Sequence, residues 1–172
     1  MHPQKGFTLI EAIIGIVVLS IAFSIMVNLI YPRVEESADQ LHQVRAAELA
    51  QSLLNEIQGR AFDENSDKVG SVIRCGETGA PTCTTVVGSE EGSSRELFDD
   101  VDDYHNLALE DSEGEDLSGV YQGFSLQVSV INDSNYDGVQ DTLNYNTAKL
   151  ITVSVTTPQG FTLDFSAYKV NF

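Results

Sequence analysis

One carboxylate followed by a long uncharged apolar run constrains this chain more than any other feature. After Glu11 the sequence continues Ala12-Ile13-Ile14-Gly15-Ile16-Val17-Val18-Leu19-Ser20-Ile21-Ala22-Phe23-Ser24-Ile25-Met26-Val27-Asn28-Leu29-Ile30-Tyr31, and no residue from Ala12 to Tyr31 is charged. A helix needs about 20 such residues to cross the hydrocarbon of a bilayer. A carboxylate at the start of such a helix loses its hydration in lipid, so Glu11 marks a function and calls for a partner.

The residues before the run are Lys5-Gly6-Phe7-Thr8-Leu9-Ile10. An ordinary secretory signal fits poorly, because its apolar core precedes the cleavage site and is removed, and no small-residue cleavage pattern follows Tyr31. A plain signal anchor is the alternative. The stretch resembles the prepilin signal of type IV pilins and type II secretion pseudopilins. The resemblance implies a leader, Met1 to Gly6, cut by a prepilin peptidase between Gly6 and Phe7. It also implies methylation of Phe7 and makes Glu11 the fifth residue of the mature chain. Cleavage would create a positive amine four residues before Glu11. A neighbouring subunit's amine would then neutralise Glu11 and fix the axial register between subunits. The partners implied are other minor and major pilins and an inner-membrane assembly platform. The expected location is the bacterial inner membrane, single-pass with a periplasmic domain, and then a surface pilus or periplasmic pseudopilus.

The chain has 172 residues, 26 acidic and 9 basic, for a formal charge of −17. Loss of Lys5 with the leader would make it −18. That balance argues against nucleic acid, whose phosphates would be repelled. Lys5 places the leader on the cytoplasmic side. Cys75 and Cys83 flank a segment containing Gly76, Gly79 and Pro81. An even count in an oxidising compartment favours a disulfide, since two Cys without a nearby His do not complete a zinc site.

The expected organisation is a leader at 1–6, a transmembrane or fibre-core helix at 7–31, an amphipathic second half at 32–60, and an extracytoplasmic domain at 61–172. Pro32 is expected to kink or interrupt the helix. Beyond it Val34, Ala38 and Leu41, then Ala46, Ala50, Leu53 and Ile57, recur at helical spacing, and Gly59 is a stop signal. From Glu90 to Asp116 there are twelve acids and one base, Arg95, with Phe98, Val101, Tyr104, Leu107 and Leu109 interspersed. The C-terminal third alternates as strands do: Phe124 to Val130, Ile151 to Thr156, and Phe161 to Phe172. The apolar parity shifts at Tyr168, Val170 and Phe172, which predicts a bulge near Ser166-Ala167. Pro158-Gln159-Gly160 is the turn before the last strand. The fold expected is α+β and pilin-like, a long N-terminal helix packed on a small antiparallel sheet.

Asp133, Asn135, Asp137, Val139 through its carbonyl, and Asp141, with Gly138 at position six, match the first part of an EF-hand-type calcium loop. Asn144 stands where the bidentate Glu belongs. A turn built from Asp, Asn and Gly for local reasons is the equal alternative. No cofactor is otherwise required. His2, His42 and His105 fall in no nucleophile or zinc motif, so the chain is not expected to be an enzyme.

A narrower resemblance covers Pro32-Arg33, Ser37-Ala38-Asp39, Gln43-Val44-Arg45-Ala46-Ala47-Glu48-Leu49, Ala61-Phe62-Asp63-Glu64-Asn65-Ser66 and Phe98-Asp99-Asp100-Val101-Asp102-Asp103-Tyr104-His105. These segments resemble minor prepilins of the mannose-sensitive haemagglutinin (MSHA) pilus. They imply a low-abundance subunit that starts, assembles or tips a surface pilus for attachment. The alternatives are a type II secretion minor pseudopilin and a membrane-anchored periplasmic binding module that never polymerises.

Overall fold

The computed structural model describes residues 6, 8–66, 74–92, 94–110 and 119–172, with the backbone alone described at 31–38, 110 and 120. The expected leader residues Met1 to Lys5 and the expected new terminus Phe7 lie outside the described residues, as do the side chains of Val34 and Ala38. The chain divides into two compact units, Met1–Leu41 and His42–Phe172.

A single helix, α1 (Leu9–Gln58), begins in the first unit and ends in the second. It runs through Pro32 without interruption, which corrects the expected break. Proline removes one backbone donor, and the helical turns on either side retain theirs. Within the second unit α1 lays Ala46, Ala50, Leu53, Leu54 and Ile57 into the core, the 3.6-residue period made physical. Leu41 and Val44 are half exposed, so among the described side chains the buried stripe starts at Ala46. The helix stops at Gln58, where the Gly59 N–H donates to the carbonyls of Asn55 and Glu56, both at 3.1 Å.

Four strands form one sheet in the order β1 (Ala108–Glu110), β2 (Ser125–Asn132), β3 (Ala148–Thr156) and β4 (Thr162–Val170). Every pair is antiparallel. The registers align three apolar rows across the sheet: Leu126–Val155–Leu163, Val128–Val153–Phe165 and Val130–Ile151–Ala167. These rows pack with the α1 stripe, Phe98, Val101, Tyr104 and Phe124 in one core. Each fully buried Val or Ile contributes about 1.5–3 kcal/mol. The other face carries hydroxyl and carboxylate pairs, Thr152–Ser166 at 3.0 Å, Ser154–Asp164 at 2.6 Å and Thr156–Thr162 at 2.9 Å.

The expected bulge at Ser166-Ala167 is absent, and the pairing of β3 with β4 runs unbroken from Thr156↔Thr162 to Ala148↔Val170. Tyr168 lies on the face opposite the core rows, where Tyr136 covers it with ring centroids 4.9 Å apart. The apolar parity therefore reflects a second layer over that face, supplied by the loop between β2 and β3. Lys169, on the core side of the strand, donates to the Gln58 carbonyl at 2.8 Å and caps the end of α1. Residues 157–161 close the β3–β4 hairpin, with Gly160 at φ +83°.

Candidate functional site

The span Leu9–Ile30, 22 residues, is long and apolar enough to cross a membrane. At 1.5 Å per residue it covers about 33 Å, against roughly 30 Å of hydrocarbon. None of it is buried within the chain. Two of its polar side chains are satisfied internally: the Ser20 hydroxyl donates to the Ile16 carbonyl and the Asn28 amide to the Ser24 carbonyl, both at 2.8 Å. Such i−4 bonds let these residues sit in lipid without an orphaned donor.

Thr8 begins α1. Its hydroxyl accepts from the Glu11 N–H at 3.4 Å, and its carbonyl accepts from Ala12 at 3.2 Å. Thr8-x-x-Glu11 is thus the forward half of a capping box, a signal readable in the sequence that the transmembrane reading passed over. It places Glu11 in the first turn, beside the positive end of the helix dipole, worth about 0.3–1 kcal/mol to an anion. A carboxylate at the centre of a spanning helix costs about 2.5–3.5 kcal/mol. The helix start therefore offsets part of the cost of Glu11 and leaves room for an external cation. Gly6 is exposed, with nothing within 4 Å of where a Cβ would stand.

In the second unit the acidic residues Asp63 and Asp102 are held by a buried cation that sequence reasoning missed. Lys149 of β3 is fully buried; its Nζ donates to Asp102 Oδ2 at 2.6 Å, the Phe62 carbonyl at 2.8 Å and Asp63 Oδ2 at 3.4 Å, and lies 4.5 Å from the centroid of the Phe62 ring. Asp63 also accepts from the Asn65 N–H at 3.0 Å and from the backbone and hydroxyl of Thr84. Residues 61 and 100 form a parallel bridge, with the Ala61 N–H on the Asp99 carbonyl at 3.2 Å and the Val101 N–H on the Ala61 carbonyl at 3.1 Å. Burial pushes the Asp102 carboxyl up to about 6 against the opposing pull of Lys149. Burial, then the charges of Asp102 and Asp103, push Asp100 up to about 7. The only sequence sign of this network was a lone Lys at the start of an apolar strand.

The loop between β2 and β3 holds Asp133, Asn135, Asp137, Val139 and Asp141. Asp133 Oδ1 accepts from the Asp137 N–H at 3.1 Å, and Oδ2 accepts from the Gly138 N–H at 2.9 Å and the Tyr168 hydroxyl at 2.6 Å. Asn135 Oδ1 accepts from Asp137 N–H at 3.2 Å, Asp137 Oδ1 from Val139 N–H at 2.9 Å, and Asp141 Oδ2 from Ser134 N–H at 2.7 Å. These are the local bonds of Asx turns. Burial raises the Asp133 carboxyl, but the hydrogen bonds from Tyr168, Gly138, Asp137 and Tyr136 outweigh it and hold it below the usual range. The structure joins Asp133 to Asp137 and Asp141 to Ser134, and among the described residues the tight carboxylate groups lie elsewhere.

Cys75 and Cys83 are bridged, with Cα atoms 4.8 Å apart. They pack with Phe62 and Tyr145 in a small second cluster, and Asn171 donates to the Cys75 carbonyl at 3.1 Å. His105 Nδ1 accepts from the Val130 N–H at 3.1 Å, and the His42 ring rests on Phe124 at 5.6 Å. Both histidines thus have packing or backbone roles.

Residues 1–27 match the family described as the prokaryotic N-terminal methylation motif. No curated protein and no solved structure matches the chain. The match supports a type IV pilin-like or pseudopilin subunit with a membrane-anchoring helix, and implies pilins and a prepilin peptidase as its general partners.

Proposed function

We propose that the chain is a minor, non-catalytic subunit of a type IV pilus of MSHA type, resembling its D-type minor prepilin. It helps to start, assemble or tip the fibre after cleavage between Gly6 and Phe7. The observation that carries this reading is the combination of the N-terminal match with an apolar helix interrupted by one carboxylate in its first turn. Cleavage leaves an amine at Phe7. In the fibre that amine, from an adjacent subunit, meets Glu11 and supplies the charge that lipid and the local helix start do not. The exposed apolar side chains of Leu9–Ile30 pack against neighbouring helices once the subunit leaves the membrane.

The test has two arms. Mass spectrometry of the membrane-extracted protein is expected to find a chain beginning at methylated Phe7. Sheared surface fibres are expected to contain it, and Glu11→Ala is expected to insert into the membrane normally while its share in the fibres falls several-fold. An unprocessed chain starting at Met1, or full incorporation of Glu11→Ala, overturns the reading. Recovery with periplasmic secretion fibres instead of surface pili would assign it to the pseudopilins.

A further inference from the structure

We propose that the folded second unit holds Asp100 as the neutral acid, and that loss of this proton in alkaline medium loosens the 99–103 segment from Ala61, making a pH-sensitive latch. Asp100 stands at the middle of the contact it controls. The Ala61 N–H donates to the Asp99 carbonyl at 3.2 Å and the Val101 N–H to the Ala61 carbonyl at 3.1 Å, one bond on each side of residue 100. Phe98, Val101 and Tyr104, close by in sequence, are buried in the main core.

The balance of buried charge requires a proton here. Asp63, Asp100, Asp102 and Asp103 are each at most 2% exposed, and among the described residues Lys149 is the one buried cation. Four carboxyl groups therefore share one ammonium out of water. A buried charge without a partner is strongly disfavoured, and a carboxyl so placed takes up a proton instead. The hydrogen bonds identify which one. Lys149 donates to Asp102 and Asp63. Asp103 accepts the N–H groups of Asp99 and Asp100 and shares a hydrogen bond with Glu91. Asp100 Oδ1 accepts the N–H groups of Asp102 at 2.7 Å and Asp103 at 3.2 Å. Its Oδ2 is buried with no hydrogen-bond partner among the described residues, and Lys149 pairs with other carboxylates. Oδ2 is thus the oxygen that carries the proton.

The surrounding charges act in the same sense. Burial is the largest influence on Asp100, followed by repulsion from Asp102 and Asp103 on its own segment. Lys149 on β3 and the Asp103 N–H oppose them without prevailing, and the carboxyl moves from 3.8 to about 7. Asp63, after α1, and Glu90, of the 89–91 loop, add negative charge facing Asp102. An acid raised in the folded state stabilises the fold fully below its unfolded value and loses that contribution as pH rises through the folded value. The latch is therefore closed in mild acid and released as pH rises past about 7. Once ionised, Asp100 is repelled by Asp102 and Asp103 and regains hydration only by leaving the contact with Ala61.

The experiment compares the full chain with Asp100→Asn, both in detergent, by circular dichroism melts at about pH 5.5 and about pH 8. Asparagine keeps the Oδ1 acceptor and cannot ionise. Wild type is expected to melt several degrees higher at the lower pH. Asp100→Asn is expected to match it there, to exceed it at the higher pH and to lose most of the difference, with His42 and His105 unchanged in both proteins. Hydrogen-exchange protection of the Ala61 and Val101 amides, corrected for the intrinsic pH dependence, is expected to fall with rising pH in the wild type only. Infrared spectra of the wild type, which need no variant to fold, are expected to show a protonated-carboxyl C=O band at the lower pH that vanishes at the higher. A wild type no less stable at about pH 8, a full pH response kept by Asp100→Asn, or the lack of that band at the lower pH overturns the proposal.

Discussion

Replacing Lys149 by Met tests how the acidic segment is held. The substitution keeps an unbranched apolar stem and removes the ammonium. It breaks bonds of 2.6 Å to Asp102, 2.8 Å to the Phe62 carbonyl and 3.4 Å to Asp63, and leaves two carboxylates in the core. Lys149 and Asp63 are fully buried and Asp102 is 1% exposed, so water cannot replace the lost partner. Breaking one side of a buried ion pair costs about 3–5 kcal/mol. The second unit, His42–Phe172, has an unfolding entropy on the order of 0.28 kcal/mol/K from its length. The expected fall in Tm is therefore roughly 10–20 °C. Circular dichroism melts of the full chain in detergent and EDTA measure it. Adding Asp102→Asn to Lys149→Met removes one orphaned charge and is expected to recover a large part of the loss. A fall of less than about 3 °C, well short of the buried-pair range, would refute the claim that this lysine organises the unit, and so would a double variant no more stable than the single.

Three further outcomes follow from the same structure. Glu56 accepts from Arg95 at 2.7 Å and from the Tyr104 hydroxyl at 2.8 Å; burial raises its carboxyl, but these bonds and the charges of Arg95 and Arg60 outweigh burial and hold it below its ordinary 4.5. Its contribution is present above pH 4.5 and lost as pH falls through the lower folded value, so wild type is expected to exceed Glu56→Gln by about 0.5–1 kcal/mol near neutrality, discounted for the pair's exposure, and to converge with it in acid denaturant titrations. Cys75→Ser with Cys83→Ser opens a short loop and is expected to lower stability by about 2–3 kcal/mol, matched by wild type under reducing conditions. Ile57→Ala is expected to cost about 2–5 kcal/mol in denaturant unfolding, because Ile57 is fully buried at the last turn of α1.

The strands β2, β3 and β4 and the Ala46–Ile57 stripe were legible because each has one buried face, which writes a period of two or 3.6 into the residues. Tyr168 misled for the same reason: its apolar character belongs to a contact with Tyr136 from a loop, and a period argument converts it into a bulge. β1 was not legible, since three residues within an acidic segment carry no pattern and gain strand form only by pairing with Gln127, Leu126 and Ser125. The acidic segment itself read as irregular. Asp100, Asp102 and Asp103 are in fact buried, held by backbone N–H groups and by a lysine 47 residues after Asp102.

The sequence alone determined the N-terminal half of the account. A helix in lipid has no water and no distant residue to satisfy it, so an uncharged run, a first-turn carboxylate and a preceding Lys-Gly-Phe carry their meaning locally. Tertiary structure alone decided the rest. Which acids are buried, which share Lys149 and which crowd around Glu91 depends on segments brought together across dozens of residues. Charge interactions depend on separation in space and on exclusion of water, and neither is written in the order of residues along the chain.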